Sequence, residues 1–145
     1  MDGIIFDVDG TLWDSVEVVA ESWNLAIKEN SDLEPNLNRE ILQGLFGKTM
    51  DEIAAGVFPD LDTDSRRKLM DICFDYENRY LETHPGVYYE GVMDTLKELA
   101  LEYPLFIVSN CQCGYIEVMM KGAGMEPYIK DFLCFGQTQT SKDQT

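Results

Sequence analysis

The segment at residues 4–8 constrains the fold of this chain more than any other part of the sequence. Its residues are apolar up to Asp7 and do not alternate with polar ones, which is typical of a parallel strand buried on both faces. Asp9, Gly10 and Thr11 follow and indicate a turn. The chain therefore opens with a strand that needs further layers of structure on either side.

Helical and strand-like patterns alternate along the rest of the chain. Asp14 and Glu17 have the spacing of an N-terminal capping pair, and apolar residues at helical spacing continue to Ile27. Residues 38–84 carry only helical signals. Further helices are predicted at residues 91–102 and 114–122, and further strands at residues 105–108 and 132–135. The order predicts an α/β core, with a parallel sheet, that is interrupted after its first strand by an all-helical insert.

Composition limits the partners and the location that we expect. The 145 residues are 45% hydrophobic, enough to bury the core of an ordinary domain. The formal net charge of −16 repels phosphodiester backbones and anionic membrane surfaces, so we expect no nucleic-acid or membrane partner. No apolar run has the length of a bilayer span, and no signal-peptide pattern precedes the first strand, which favours a cytoplasmic location. The sequence does not indicate an oligomeric state.

The four cysteines do not form a recognisable metal or disulfide pattern. Cys73, Cys111, Cys113 and Cys134 are far apart except for one pair with a single residue between them. This spacing fits neither a zinc site built from two pairs nor a dense disulfide framework. We expect reduced and mostly buried thiols.

Polar side chains follow the predicted strands where each strand ends. Because open parallel sheets bind ligands beyond the carboxyl ends of their strands, Asp7, Ser109 and Asn110 are expected to converge. A carboxylate can attack phosphorus and form an aspartyl-phosphate, provided that a second group handles the proton of the leaving group. Asp7 and Asp9 are spaced to share these tasks. In isolation, two acids at this spacing more often form a turn after a solvated strand end. The residues that flank Asp7 and Asp9 must therefore distinguish a turn from a catalytic pair.

The surroundings of Asp7 and Asp9 resemble the first motif of the haloacid dehalogenase superfamily of phosphohydrolases and phosphomutases. The resemblance implies a Rossmann-like core, with Asp7 as nucleophile and Mg²⁺ ligand. It makes Asp9 the general acid/base, which also ligates the metal through its backbone carbonyl. The strand that ends in Ser109 and Asn110 matches the second motif, and Lys142 matches the third; both imply binding of phosphoryl oxygens. An ordinary surface lysine is the alternative for Lys142.

The helical insert resembles the four-helix cap of the subfamily that includes β-phosphoglucomutase and phosphoglycolate phosphatase. This places residues 1–14 and 85–145 in the core and residues 15–84 in the cap. Such a lid closes on small substrates and expels water. Residues 44–49 resemble its substrate-specificity loop, where Lys48 is a candidate contact for a distal anionic group of the substrate. A solvated lysine at the start of a helix is the alternative.

One family feature has no counterpart in this sequence. The fourth motif is an acidic cluster that completes the magnesium site, and the sequence ends at Thr145 without it. We therefore expect the chain to be part of a longer protein, with a partial core and no activity of its own.

The resemblance implies a Mg²⁺-dependent phosphatase that acts on a small phosphorylated metabolite through an aspartyl-phosphate. A sugar-phosphate mutase of the β-phosphoglucomutase type is an alternative that a cap does not distinguish, because both use the same motifs. A catalytically silent binding or structural fragment is a second alternative. The dehalogenase branch is disfavoured, since it needs no acid/base at the position of Asp9. The identity of the substrate is not predicted.

Overall fold

The computed structural model describes residues 2–111 and 113–134. In chain order, its elements are β1 (Ile4–Phe6), β2 (Trp13–Asp14), α1 (Val16–Asn30), α2 (Arg39–Gln43), α3 (Met50–Val57), α4 (Thr63–Thr83), β3 (Val87–Tyr88), α5 (Val92–Ala100), β4 (Leu105–Val108), α6 (Tyr115–Ala123), a 3₁₀ turn (Glu126–Tyr128) and β5 (Asp131–Leu133). The predicted order of helices and strands is therefore found, with a short additional hairpin, β2 and β3, beside the insert. Within these residues, no helix combines the length and the apolar character that a bilayer crossing requires.

The central sheet is parallel, with the strand order β1-β4-β5. Ile4 pairs with Leu105 and Phe6 with Ile107, while Phe106 pairs with Asp131 on the other side of β4. The strand that pairs with β1 thus lies beyond the whole helical insert in the sequence. A parallel sheet with flanking helices and an inserted helical cap is the Rossmann-like α/β fold that the sequence predicts.

The hairpin of β2 and β3 brings the two ends of the helical insert together. Trp13 pairs with Tyr88 in antiparallel register. The chain passes very close to this hairpin at Gly86, where a Cβ atom would lie 2.9 Å from the carbonyl oxygen of Asp14 and 2.9 Å from the Trp13 ring. Only glycine fits there without displacing the hairpin. The domain boundaries at 14/15 and 84/85 fall beside β2 and β3 and stay a prediction.

Two local predictions are wrong. The capping pair at the start of α1 does not form, because Asp14 Oδ1 accepts a hydrogen bond from Val16 N at 3.1 Å and Asp14 Oδ2 pairs with Arg39 at 2.9 Å. Glu17 pairs with Arg39 as well, at 3.2 Å. The strand β1 is not buried on both faces either, since Ile5 is 68% exposed and the described residues leave that face of the sheet uncovered.

The expectation of four reduced thiols is also wrong. Cys113 and Cys134 form a disulfide, with their Cα atoms 5.6 Å apart. The physical reason is the sheet topology: β4 and β5 are neighbours, so the segment after β4 and the end of β5 meet at one edge. Cys73 and Cys111 are free thiols, the first buried and the second half-buried.

Candidate active site

A tight turn after β1 positions Asp7 and Asp9. The amide of Val8 donates to Asp7 Oδ1 at 2.9 Å. The carbonyl oxygen of Val8 then accepts from the amides of Thr11 and Leu12, at 3.1 and 2.9 Å. Both carboxylates consequently lie at the carboxyl end of the first strand, where a parallel sheet binds its ligands.

A cluster of hydroxyl and indole groups fixes the Asp9 carboxylate. The hydroxyl of Tyr115, at the start of α6, donates to Asp9 Oδ1. The indole N–H of Trp13 donates to the Tyr115 oxygen at 3.1 Å, and Ser15 Oγ lies 2.6 Å from the same oxygen. Because Tyr115 uses its single proton on Asp9, Ser15 must donate to Tyr115. Asp9 is thus held by a buried group that lies outside its own loop.

The environment of Asp9 suits proton transfer. Burial raises the pKa of its carboxyl to about 6, and the charge of Asp7 adds to the rise, whereas the hydrogen bond from Tyr115 opposes it. A carboxyl with this pKa exchanges protons near neutral pH, as a general acid or base requires. Asp9 therefore has the property that its predicted role demands.

The end of β4 supplies two further predicted groups. Ser109 and Asn110 are buried, with 6% and 4% exposure. Ser109 Oγ accepts from the amide of Cys111 at 3.3 Å, and Asn110 Nδ2 donates to the carbonyl oxygen of Gly47 at 2.7 Å. The second bond joins the loop of the core to the loop between α2 and α3. The predicted phosphate-binding loop is therefore in contact with the predicted specificity loop.

The structure brings most of the predicted site residues around one cavity of about 130 Å³. Asp7, Asp9, Ser109, Asn110 and the exposed Lys48 all line it. Its apolar walls come from the helical cap: Trp23, Phe46, Met50, Ile53 and Phe74. The remaining predicted residue, Lys142, lies outside the described residues.

Two polar residues of this cavity, Tyr115 and Glu77, are not among the predicted site residues. Tyr115 is 2% exposed and Glu77 is 5% exposed. Glu77 has a signal in the sequence, because it occupies a position of the apolar stripe of α4 between Cys73 and Leu81, where a carboxylate is unexpected. Tyr115 has no such signal, since an aromatic residue at the start of a helix normally indicates packing.

Glu77 is a second acid of the cavity whose pKa is raised. Burial raises its pKa well above the ordinary value, and the charge of Asp9 adds to the rise. Among the hydrogen bonds and ion pairs found within the described residues, none involves the Glu77 carboxylate. An acid buried in this way normally has a partner.

The donor set at the end of β1 fits part of a magnesium shell. The Asp7 carboxylate and the Asp9 carbonyl are oxygen donors, which Mg²⁺ prefers. In residues 2–111 and 113–134, no three His, Cys, Asp or Glu residues are grouped to hold a metal. Magnesium is often held by one or two carboxylates together with water and substrate phosphate, so these two groups can supply the protein ligands of such a site.

Over residues 4–145, the sequence matches the family described as haloacid dehalogenase-like hydrolase. The match covers nearly the whole chain, so the chain belongs to this family of hydrolases. Among curated proteins, none matches the chain.

Solved structures share the fold. A haloacid dehalogenase-like family hydrolase from Streptococcus pneumoniae is 21% identical, with a TM-score of 0.74 over 92% of this chain and 61% of its own. A protein described as a predicted phosphoglycolate phosphatase from Haemophilus somnus 129pt is 22% identical, with a TM-score of 0.79 over 92% of this chain and 62% of its own. YfnB, a HAD-hydrolase from Bacillus subtilis described as bound to magnesium, is 23% identical, with a TM-score of 0.63 over 95% of this chain and 66% of its own.

At these identities, the likeness shows the fold alone. The chain spans 61% and 62% of the length of the first two relatives.

Proposed function

We propose that this chain carries the nucleophile and the acid/base of a phosphatase that acts on a small phosphorylated metabolite. One observation carries the proposal: Asp7 and Asp9, at the end of β1, share a small cavity with Ser109 and Asn110 at the end of β4. The raised pKa of Asp9, about 6, supports its role as the proton-transfer group. Structures of similar fold that are described as predicted phosphatases are consistent with this activity.

In the proposed reaction, Asp7 and Asp9 act in two steps. A carboxylate oxygen of Asp7 forms a bond to phosphorus while the bond from phosphorus to the leaving oxygen breaks, and Asp9 gives that oxygen its proton. Water then attacks phosphorus, Asp9 takes a proton from the water, and the bond to Asp7 breaks to release inorganic phosphate. The second step thus restores the free Asp7 carboxylate and the protonated Asp9 that the first step consumed.

The remaining groups stabilise the charge on the phosphoryl oxygens. Ser109 and Asn110 donate hydrogen bonds to these oxygens, and the predicted role of Lys142 is to add a positive charge. Mg²⁺ held by the Asp7 carboxylate and the Asp9 carbonyl would offset the repulsion between the phosphoryl group and the two acids. The apolar cap residues exclude water from the cavity.

A rapid-quench experiment tests the function. The full-length protein is mixed with a ³²P-labelled small phosphate ester and Mg²⁺, and then denatured in acid. We expect label on the wild-type protein that hydroxylamine releases, as it does from an acyl phosphate, and none on Asp7→Asn. Asp71→Asn, on the exposed side of α4, is the control and should behave as the wild type. Wild-type turnover in Asp7→Asn would exclude the mechanism.

A further inference from the structure

The cap contributes a buried acid that the proposed mechanism does not use. Glu77 lies on α4, is 5% exposed and lines the same cavity as Asp7 and Asp9. The described residues offer its carboxylate no hydrogen bond and no ion pair, although its neighbours along the apolar stripe of α4 are closely packed. Burial without a partner disfavours the charged form of this carboxyl, and a cation that enters the cavity would favour the charged form.

The charged groups that line the described part of the cavity favour a cationic partner for Glu77. Asp7, Asp9 and Glu77 contribute three carboxyl groups, and Lys48 is the one basic side chain among the described lining residues. A phosphate monoester adds further negative charge at the Asp7 end. A positive group beside Glu77 would pair with its carboxylate and would supply the hydrogen-bond donors that Glu77 lacks.

The walls beside Glu77 also suit a small cation. Phe74 is three residues before Glu77 and therefore lies on the same face of α4. The ring of Trp23 packs edge-to-face against Phe74, with ring centroids 5.8 Å apart. Aromatic rings beside a carboxylate bind alkylammonium groups through both charge and ring quadrupole. A hydroxyl group would donate one hydrogen bond to Glu77 but would stabilise the charged carboxylate less than an ammonium group does.

From these contacts we propose that the substrate is the phosphate monoester of a short amino alcohol and that Glu77 binds its ammonium group. The inference rests on the proposed function, because it assigns a substrate contact to a further residue of the same cavity. The volume of about 130 Å³ restricts the leaving group to a few carbon atoms. The phosphoryl group then lies at Asp7 and the ammonium at Glu77, with the alkyl chain against the aromatic walls.

A pair of isosteric substrates tests this assignment. In 2-aminoethyl phosphate and propyl phosphate, an ammonium is exchanged for a methyl group of similar size. We expect the wild-type protein to favour the ammonium compound by about tenfold in kcat/KM, and this ratio to fall to within about twofold in Glu77→Gln. Glu82→Gln, an exposed position on the same helix, is the matched control and should keep the wild-type ratio.

Two outcomes would overturn the inference: a wild-type protein that does not discriminate between the compounds, or a Glu77→Gln variant that loses activity on both equally and keeps the ratio. The second outcome would assign Glu77 a purely structural role.

Calorimetric titration of Asp7→Asn with both compounds separates this inference from the proposed function, because binding needs no turnover. A preference for 2-aminoethyl phosphate that disappears in Asp7→Asn with Glu77→Gln supports the ammonium site even if the protein hydrolyses neither compound. Turnover of both compounds without any preference in binding would leave the phosphatase function standing and remove the ammonium site.

Discussion

At the scale of single residues, Tyr115 limits the rise in the pKa of Asp9. Its hydroxyl donates to Asp9 Oδ1, and a hydrogen bond to a carboxylate favours the charged form. Burial acts in the opposite direction and more strongly, so the pKa settles at about 6. Removing the hydroxyl should therefore raise the pKa of Asp9 further.

Tyr115→Phe is expected to shift the pH dependence of turnover. The first step on an alkyl phosphate needs protonated Asp9, so activity falls as the pH rises through its pKa. Without the hydroxyl, this alkaline limb should move to higher pH by about one unit. The measurement is kcat/KM against pH, with Tyr128→Phe as a control remote from the cavity. An unchanged limb, or one that moves to lower pH, would contradict the role of Tyr115.

The Glu77→Gln variant is expected to become more stable than the wild type as the pH rises. The folded state raises the pKa of Glu77 above its ordinary value of 4.5, so its contribution to stability is lost as the pH rises through the folded value. The neutral amide avoids this loss. The measurement is thermal unfolding of both proteins from about pH 5.5 to about pH 8.5. The melting temperature of the variant should exceed that of the wild type by a margin that grows to a few degrees. A difference of ~1 kcal/mol corresponds to about 3 °C.

The exposed Glu82 provides the comparison for this measurement, since Glu82→Gln should give no such trend. A constant difference between Glu77→Gln and the wild type across the pH range would show that Glu77 does not titrate during unfolding. A stability gain together with the loss of substrate preference would identify Glu77 as an acid that is retained for binding at a cost in stability.

At the scale of elements, the disulfide between Cys113 and Cys134 closes a loop that contains α6 and the 3₁₀ turn. The two cysteines are 21 positions apart. Tyr115 begins α6, so the covalent link also restrains the helix that holds Asp9. The elements that carry the site are thereby tied to the end of β5.

Loss of this disulfide is expected to lower the free energy of unfolding by about 3 kcal/mol, which is the value for a loop of this length. Urea unfolding of the wild type with and without dithiothreitol measures it. The double variant with Cys113→Ser and Cys134→Ser should match the reduced wild type and should not respond to the reductant. Equal stability of the wild type in both conditions would show that the disulfide contributes nothing.

The elements also show which parts of the site can be predicted from the sequence and which cannot. Asp7, Asp9, Ser109 and Asn110 were predicted because each directly follows a strand, and a strand end is a local signal. The contact of Tyr115 with Asp9 and the pairing of Cys113 with Cys134 depend on which strands are neighbours, and no local pattern encodes that. The exposure of Ile5 was missed for the same reason, since an apolar run does not show which face another layer covers.

At the scale of the whole molecule, the formal charge of −16 opposes the folded state. Self-repulsion is stronger in a compact chain than in an unfolded one, and 0.1 M salt screens the repulsion between charges that are more than about 10 Å apart. Raising NaCl from about 20 mM to about 200 mM should therefore raise the melting temperature by a few degrees. KCl serves as the control and should have the same effect. A decrease with salt would show that the ion pairs of Arg39 and Arg67 outweigh the repulsion.

The parallel pairing of β1 with β4 has a consequence for the time course of folding. Asp9 and Tyr115 are 106 positions apart, and the helices between β2 and β3 have to be accommodated before these strands can meet. Contacts between residues so distant in sequence form slowly, whereas helices form from local contacts. During synthesis, the first strand leaves the ribosome long before its partner exists. The helices should therefore gain protection from hydrogen exchange early in refolding, and the hydrogen bond between Tyr115 and Asp9 should be among the last to form.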